Sequence, residues 1–170
     1  MLRWLICSAL VLGCGRSRIE DSDPGLDVDR VMAHVAMLAN APRVHDTQGA
    51  RDAVRYISGA LAPTPLEATP VGDVELPAIE VLGSTYRRAE HVHVDDPDLV
   101  ARFGPTGKAL LFMAHYDSVP GAPGAVDNAA SVGLLIELAK YLQQHPPSFP
   151  IMIAFTADEE GGLVGAEALA

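Results

Sequence analysis

The amino-acid sequence predicts an α/β fold in which helices flank a mostly parallel central sheet. Three consecutive patterns carry this prediction. A continuous apolar run at 109–114 is typical of a buried strand, an amphipathic stretch at 128–144 is typical of a helix, and a second apolar run at 150–156 again favours a strand. Because strand, helix and strand in this order form a crossover unit, we expect the two strands to be parallel.

The composition restricts the class of protein. The chain has 170 residues, of which 49% are hydrophobic and 20% charged. One folded domain with a substantial core is therefore expected. The formal net charge of −10 argues against a nucleic-acid partner, because proteins that bind nucleic acids present a basic face.

The first 27 residues are predicted to direct and tether the protein. A basic start precedes an apolar stretch at 5–12, which is too short for a membrane-spanning helix. The residues Val-Leu-Gly-Cys at 11–14 resemble a bacterial lipobox, where the signal peptide is cleaved before Cys14 and this cysteine is lipidated. We expect a signal peptide at 1–13, a lipidated tether at 14–27 that holds the protein to a membrane of the bacterial cell envelope, and a folded domain at 28–170. An ordinary signal peptide of a secreted protein is the alternative.

Helical periodicity predicts two helices at the start of the folded domain. One covers 28–38, with Val35 and Leu38 on its apolar face and His34 at a surface position, and the other covers about 48–61. Two strands are predicted near 67–74 and 78–83. The segment 84–107 is polar and irregular and is interpreted as a loop.

The remaining elements complete the α/β pattern. The run at 109–114 is expected to be a strand buried on both faces. The helix at 128–144 is expected to expose Glu137, Lys140 and Gln143 on its polar face. The strand at 150–156 is followed by the start of another helix.

Polar side chains collect at the ends of the two predicted parallel strands. His115 and Asp117 follow the first strand, and Asp158, Glu159 and Glu160 follow the second. Since ligands bind beyond the carboxyl ends of parallel strands, we expect these groups to converge. Crowded carboxylates repel one another unless a cation is present, and imidazole with carboxylate suits zinc.

The spacing of these residues suits a metal site. His115 and Asp117 alternate in an extended segment and face the same way, so Asp117 can accept the second ring N–H of His115 and fix its tautomer. Of Glu159 and Glu160, one can bind metal while the other acts as a general base. Asp127, at the start of the helix, adds a carboxylate.

Each motif taken alone has a simpler explanation. The residues at 158–160 can form a solvated acidic turn, His115 can be a hydrogen-bonded core histidine, and Asp127 can cap a helix. Their joint occurrence, in this order and at these strand ends, favours the metal site.

Three ordered motifs resemble a known family. Ala-His-Tyr-Asp-Ser at 114–118, Gly-Ala-Val-Asp-Asn-Ala-Ala at 124–130 and Thr-Ala-Asp-Glu-Glu-Gly at 156–161 resemble the co-catalytic two-zinc aminopeptidases, metallopeptidase family twenty-eight. Ala-Pro-Arg at 41–43 is also similar to that family. The resemblance covers about 28–170 and implies a partial three-layer zinc-peptidase fold, truncated at the C-terminus.

The resemblance also implies a role for each matched residue. His115 binds one zinc ion, Glu160 binds the other, and Asp127 bridges both and precedes an unusual cis peptide bond. Asp117 orients His115, and Glu159 is the general base that deprotonates the bridging water. The implied reaction is hydrolysis of a peptide bond, with removal of the N-terminal residue from a peptide or protein substrate.

The resemblance leaves several alternatives open. The family needs a further acidic ligand and a distant histidine after the Glu-Glu pair, beyond Ala170, so the sequence predicts a fragment that is weak or inactive alone. A non-catalytic binding domain of the same fold is one alternative, although Glu159 is retained. A glutaminyl-cyclase-like acyltransferase is another, although the residues at 127–130 look more like the peptidases. Aminopeptidase, carboxypeptidase and dipeptidase activities are not separated.

Overall fold

The structure is a computed structural model that describes residues 25–76, 79–81, 84–86 and 91–170. The predicted signal peptide, Cys14 and the tether up to residue 24 lie outside the described residues. Within the described part of the chain, no helix is both long enough and apolar enough to cross a membrane.

Both helices predicted from periodicity are confirmed. Helix α1 covers Val28–Leu38 and begins after Asp27, whose side chain accepts the N–H of Asp29. Helix α2 covers Gln48–Leu61. Its buried residues recur at helical spacing and belong to the hydrophobic core: Ala50, Ala53, Ile57 and Leu61.

Two further strands occupy the segment that was predicted to be a loop, so that prediction is wrong. The strands before the crossover unit are β1 (Glu67–Glu75), β2 (Ile79–Val81), β3 (Ser84–Tyr86) and β4 (His91–Phe103). Strand β4 pairs antiparallel with β1 over most of its length, and β2 pairs with β3 in a separate ribbon.

Acidic residues inside β4 conceal it from sequence patterns, because aspartate is disfavoured in strands. Asp96 and Asp98 are nevertheless buried. Asp96 accepts the backbone N–H of Asp46, and Asp98 accepts the backbone N–H of Ala157. These partners come from distant parts of the chain, so the local sequence does not reveal that the carboxylates are satisfied.

The crossover unit is confirmed. It consists of β5 (Leu110–His115), α3 (Ala130–Gln144) and β6 (Ile151–Thr156), and α4 (Val164–Leu169) follows. Strands β5 and β6 are parallel, but β6 also pairs antiparallel with β4. The sheet order is β1-β4-β6-β5. Two of its three pairings are antiparallel, so the sheet is mixed and the prediction of a mostly parallel sheet is corrected.

The two strands of the crossover unit differ in burial. Strand β6 lies between two neighbours, and it buries residues on both of its faces. Strand β5 is at the edge of the four described strands, and Leu110, Leu111 and Met113 are exposed. The prediction that β5 is buried on both faces is therefore wrong, except at Ala114 and His115.

An ion network around the buried carboxylate of Glu137 joins α1 to α3 and corrects two surface predictions. Glu137 and His34 are both buried. The carboxylate of Glu137 lies 3.0 Å from Nε2 of His34, 2.6 Å from Nε of Arg30 and 2.9 Å from Nζ of Lys140. Burial alone would raise the pKa of Glu137, but hydrogen bonds from Lys140, His34 and Arg30 lower it to about 2.

Candidate metal centre

The candidate centre lies where β5 and β6 end. His115 closes β5 directly opposite Thr156, which closes β6, so the segments that follow leave the sheet side by side. One nitrogen of His115 and one carboxylate oxygen each from Glu159 and Glu160 lie within 4.8 Å of one another. The structure thus brings together residues of the first and third motifs.

Asp127 also reaches His115. It lies in a short turn, Ala125–Ala129, that precedes α3 and in which Asp127 and Asn128 have non-helical backbone angles. The Asp127–Asn128 peptide bond is cis, as the family resemblance implies. Its Oδ1 is 3.1 Å from Nε2 of His115. Its side chain forms no helix cap, because α3 begins after Ala129.

Asp117 connects the two strand ends by hydrogen bonds. Its Oδ1 is 3.2 Å from Nδ1 of His115 and accepts the backbone N–H of Glu159 at 3.1 Å. Its Oδ2 accepts the backbone N–H of Glu160 at 3.1 Å. When Nδ1 of His115 donates to Asp117, the lone pair of Nε2 is left for a metal ion.

These contacts control the charge of Asp117 and His115. Burial alone would raise the pKa of Asp117, but the hydrogen bond to His115 and the two backbone N–H groups lower it below its ordinary value. Burial alone would lower the pKa of His115, but Asp117, Glu159 and Asp127 raise it. The imidazole is therefore surrounded by negative charge.

The set of donors suits zinc. One imidazole and several carboxylates converge, and all are ligands that zinc accepts. The carboxylate oxygens of Glu159 and Glu160 lie within 4.8 Å of each other, and partial burial and the charge of Asp127 raise the pKa of Glu160. A bound cation would relieve this repulsion.

A tight turn presents Glu159 and Glu160. The preceding Asp158 is buried and adopts a left-handed conformation with φ of 48°, and its Oδ1 accepts the N–H of Gly161 at 3.1 Å. A Cβ atom at Gly161 would collide with the carboxylate of Asp158. Glycine at 161 therefore leaves room for the Asp158 carboxylate to cap the turn in this position.

Two residues near the centre were not assigned a role from the sequence. Arg43 is buried and hydrogen-bonds to the loops around the site. Nε2 of His45 lies 3.8 Å from Oδ1 of Asp158. The signal at Arg43 was the Ala-Pro-Arg sequence at 41–43, which follows α1 and is similar to the family. Tyr116 and Ser118 are buried, and their hydroxyl groups donate to backbone carbonyl groups, which is a structural role.

Comparison with known proteins relates the chain to a peptidase family. Residues 98–170 match the model of Peptidase family M28. The vacuolar membrane protease of Schizosaccharomyces japonicus is 31% identical over 157 residues, which are 87% of this chain and 18% of that protein.

Solved structures share the fold. A leucine aminopeptidase precursor from Bacteroides thetaiotaomicron matches with a TM-score of 0.62 and 21% identity over 84% of this chain and 56% of that one. A glutaminyl cyclase from Fimbriiglobus ruber matches with a TM-score of 0.63 and 21% identity over 81% of this chain and 47% of that one.

The matched proteins are longer than this chain. It spans less than a fifth of the vacuolar protease and about half of each solved structure. The segment that matches the family model holds all the residues of the candidate metal centre. Over residues 98–170, the chain is therefore related to the metallopeptidases of Peptidase family M28.

Proposed function

We propose that the protein is a zinc-dependent exopeptidase of the aminopeptidase type, which acts on the N-termini of peptides or proteins. The observation that carries this proposal is the convergence of His115, Glu159 and Glu160 within 4.8 Å, with Asp127 beside His115. In this proposal His115 and Asp127 hold one zinc ion, and Asp127 and Glu160 hold the other.

The protein's own residues have distinct tasks in the proposed reaction. When bound, the zinc ions would polarise the scissile carbonyl and make the attacking water more acidic. Glu159 is half-exposed, with one oxygen 3.7 Å from Nε2 of His115, and it accepts the proton of the water and delivers it to the leaving amine. Asp117 holds the His115 ring in the tautomer that binds metal.

The residues in this proposal provide each zinc ion with two protein donors, because Asp127 is shared. A catalytic zinc ion usually has three. We therefore expect the 170-residue chain to bind zinc more weakly than a three-donor site would, and to hydrolyse peptides slowly.

The activity is tested with an aminoacyl p-nitroanilide and its N-acetylated analogue. We expect slow release of nitroaniline from the free amine only. A chelator should abolish it, and Glu159→Gln should reduce it by about 100-fold or more, because the general base is lost. Hydrolysis by the zinc-loaded chain that is indifferent to Glu159→Gln would contradict the proposed mechanism.

A glutaminyl-cyclase-like activity is the second candidate, because a cyclase matches the fold as well as an aminopeptidase does. A peptide that begins with glutamine distinguishes them. Loss of ammonia from the intact peptide would indicate cyclisation, whereas release of free glutamine would indicate an aminopeptidase. Zinc binding without either product would favour a non-catalytic domain of the same fold.

We also propose that the protein is exported and held at the bacterial cell envelope by lipid on Cys14. The Val-Leu-Gly-Cys sequence at 11–14 supports this. Labelling with a radioactive fatty acid in a bacterial host should mark the protein, and Cys14→Ser should remove the label. A protein that stays unlabelled and is released into the medium would instead indicate an ordinary signal peptide.

A further inference from the structure

Arg43 lies in the loop between α1 and α2, and only 2% of its surface is exposed. Its guanidinium group donates to four backbone carbonyl oxygens. Nη1 bonds to Leu38 at 2.8 Å and to Pro123 at 2.5 Å, Nε bonds to Tyr116 at 2.6 Å, and Nη2 bonds to Gly124 at 3.1 Å. A buried cation is thus surrounded by backbone dipoles.

Three of the four carbonyl groups come from the segments that carry the proposed metal ligands, and the fourth is that of Leu38 at the end of α1. Tyr116 lies between His115 and Asp117, directly after β5. Pro123 and Gly124 lead into the turn that carries Asp127. A single side chain therefore connects the His115 segment to the Asp127 segment.

Backbone contacts reinforce this connection. The N–H of Arg43 donates to Oγ of Ser118 at 2.9 Å, and the N–H of Ser118 donates to the carbonyl of Arg43 at 3.3 Å. Ser118 Oγ in turn donates to the carbonyl of Ala122 at 2.9 Å. The loop from β5 to the turn at 125–129 is therefore held against the α1–α2 loop near its start by Ser118 and near its end by the guanidinium bond to Gly124.

The planar guanidinium group is suited to this position. It holds five donors in a fixed fork, whereas a lysine ammonium is a compact group with three donors. Lysine can therefore replace the charge but not all four bonds in their present directions. An uncharged side chain of similar length would leave the four carbonyl groups without this donor, and the bonds to those of Tyr116 and Leu38 are buried.

We propose that Arg43 is a positioning residue of the metal centre, which sets the distance between His115 and Asp127 by holding their two segments together. The inference rests on the proposed function, because those two residues are the proposed ligands of one zinc ion. The hydrogen bonds of Arg43 described above do not involve the side chain of a proposed ligand. It acts through the backbone of the segments on which the ligands lie.

The test compares Arg43→Met and Arg43→Lys with the matched control Arg55→Met. Arg55 is in α2, its side chain is 67% exposed, and it pairs with Asp52. Cobalt is titrated into each protein, and its visible absorption band reports both affinity and ligand geometry. We expect Arg43→Met to weaken cobalt binding by about ten- to 100-fold and to shift the band. Arg43→Lys should recover part of both, and Arg55→Met should match the wild type.

Hydrogen exchange in the metal-free proteins gives an independent readout. Arg43→Met should accelerate amide exchange at least about tenfold at both 116–118 and 124–129, while exchange in β6 remains as in the wild type. If Arg43→Met does not fold, Arg43→Lys provides the same comparison. The milder variant should then show a smaller acceleration at the same two segments.

The two readouts separate failure of this inference from failure of the proposed function. Cobalt binding by Arg43→Met within twofold of the wild type, with an unshifted band, would overturn the positioning role and leave the metal site intact. A wild type that binds no cobalt would overturn the proposed function. In that case unchanged exchange at 116–118 and 124–129 would overturn the positioning role as well, and accelerated exchange would support it.

Discussion

Asp117 is the residue through which the two strand ends are coupled. Its two carboxylate oxygens bond to the ring of His115 on β5 and to the backbone N–H groups of Glu159 and Glu160 beyond β6. It is buried, and its pKa is lowered by the bonds it accepts, despite the opposing effect of burial. An ionised carboxylate at this position therefore orders three of the residues that form the candidate centre.

Asp117→Asn tests this coupling. The amide has the same shape, but its NH2 group must face either the ring N–H of His115 or a backbone N–H, so at least one hydrogen bond is lost. We expect zinc affinity to fall about ten- to 100-fold, as for other groups that orient a metal ligand. Isothermal titration calorimetry measures the affinity. Asp52→Asn, on the exposed side of α2, is the control, and equal zinc affinity in the two variants would rule out the orienting role.

The proximity of residues that directly follow a strand end could be predicted from the sequence. His115, Asp117, Glu159 and Glu160 were grouped because parallel strands end at one edge, and the structure brings them together. Arg43 was given no role, because its partners are carbonyl groups that any residue type provides. No pattern of side chains in the sequence could identify these carbonyl partners.

At the scale of elements, α2 offers a comparison between two glycines. A Cβ atom at Gly49 would come into steric conflict with the carbonyl oxygen of Pro42, just before Arg43, whereas a Cβ atom at Gly59 has no heavy atom within 4 Å. Helix α2 therefore packs against the α1–α2 loop at Gly49 and is open to substitution at Gly59.

Gly49→Ala and Gly59→Ala should thus change stability in opposite directions. We expect Gly49→Ala to lower the free energy of unfolding by about 1–3 kcal/mol, because the backbone must shift. Gly59→Ala should raise it by about 0.5–1 kcal/mol, since alanine loses less entropy in a helix. Urea denaturation measures both values. If both substitutions changed the free energy of unfolding in the same direction, α2 would not approach the α1–α2 loop at Gly49 as closely as described.

Strand β4 places the carboxylate of Asp98 in the core. Burial raises its pKa from 3.8 to about 6, and the N–H of Ala157 offsets this only in part. At pH values between these two pKa values, the folded state binds more protons than the unfolded state. The stability of the wild type should therefore fall as pH rises from about 4 to 6, by up to about 3 kcal/mol.

Asp98→Asn should remove this dependence. Its side-chain oxygen can still accept the N–H of Ala157, and it carries no charge at any pH. We expect the variant to be close to the wild type at pH 4 and more stable than the wild type at pH 7. Denaturation curves at a series of pH values provide the comparison, and a wild type whose stability rises between pH 4 and 6 relative to the variant would refute the assignment.

The elements that could be predicted are those whose pattern is local. Helices α1, α2 and α3 bury residues at helical spacing, and β6 is a short apolar run between two neighbours. Strand β4 could not be predicted, because the groups that satisfy Asp96 and Asp98 belong to other segments. The exposure of β5 was missed because an apolar run indicates a strand but not its place in the sheet.

For the whole molecule, the mixed sheet explains why one edge carries the chemistry. Only β5 and β6 are parallel neighbours in this sheet, so they are its one hydrogen-bonded pair whose carboxyl ends lie side by side. The ligand-bearing segments after β5 and β6 converge there, and the α1–α2 loop meets them through Arg43 and His45. The rest of the fold supports that junction.

The candidate metal centre lies at this junction, and we propose that it binds zinc through His115 and Glu160. The test is a calorimetric titration of zinc into the 170-residue chain and into the variants His115→Ala and Glu160→Ala. We expect the wild type to bind zinc and each variant to lose at least about tenfold in affinity, because each substitution removes one of few donors. Zinc binding that is unchanged in both variants, or no zinc binding by the folded wild type, would contradict this proposal.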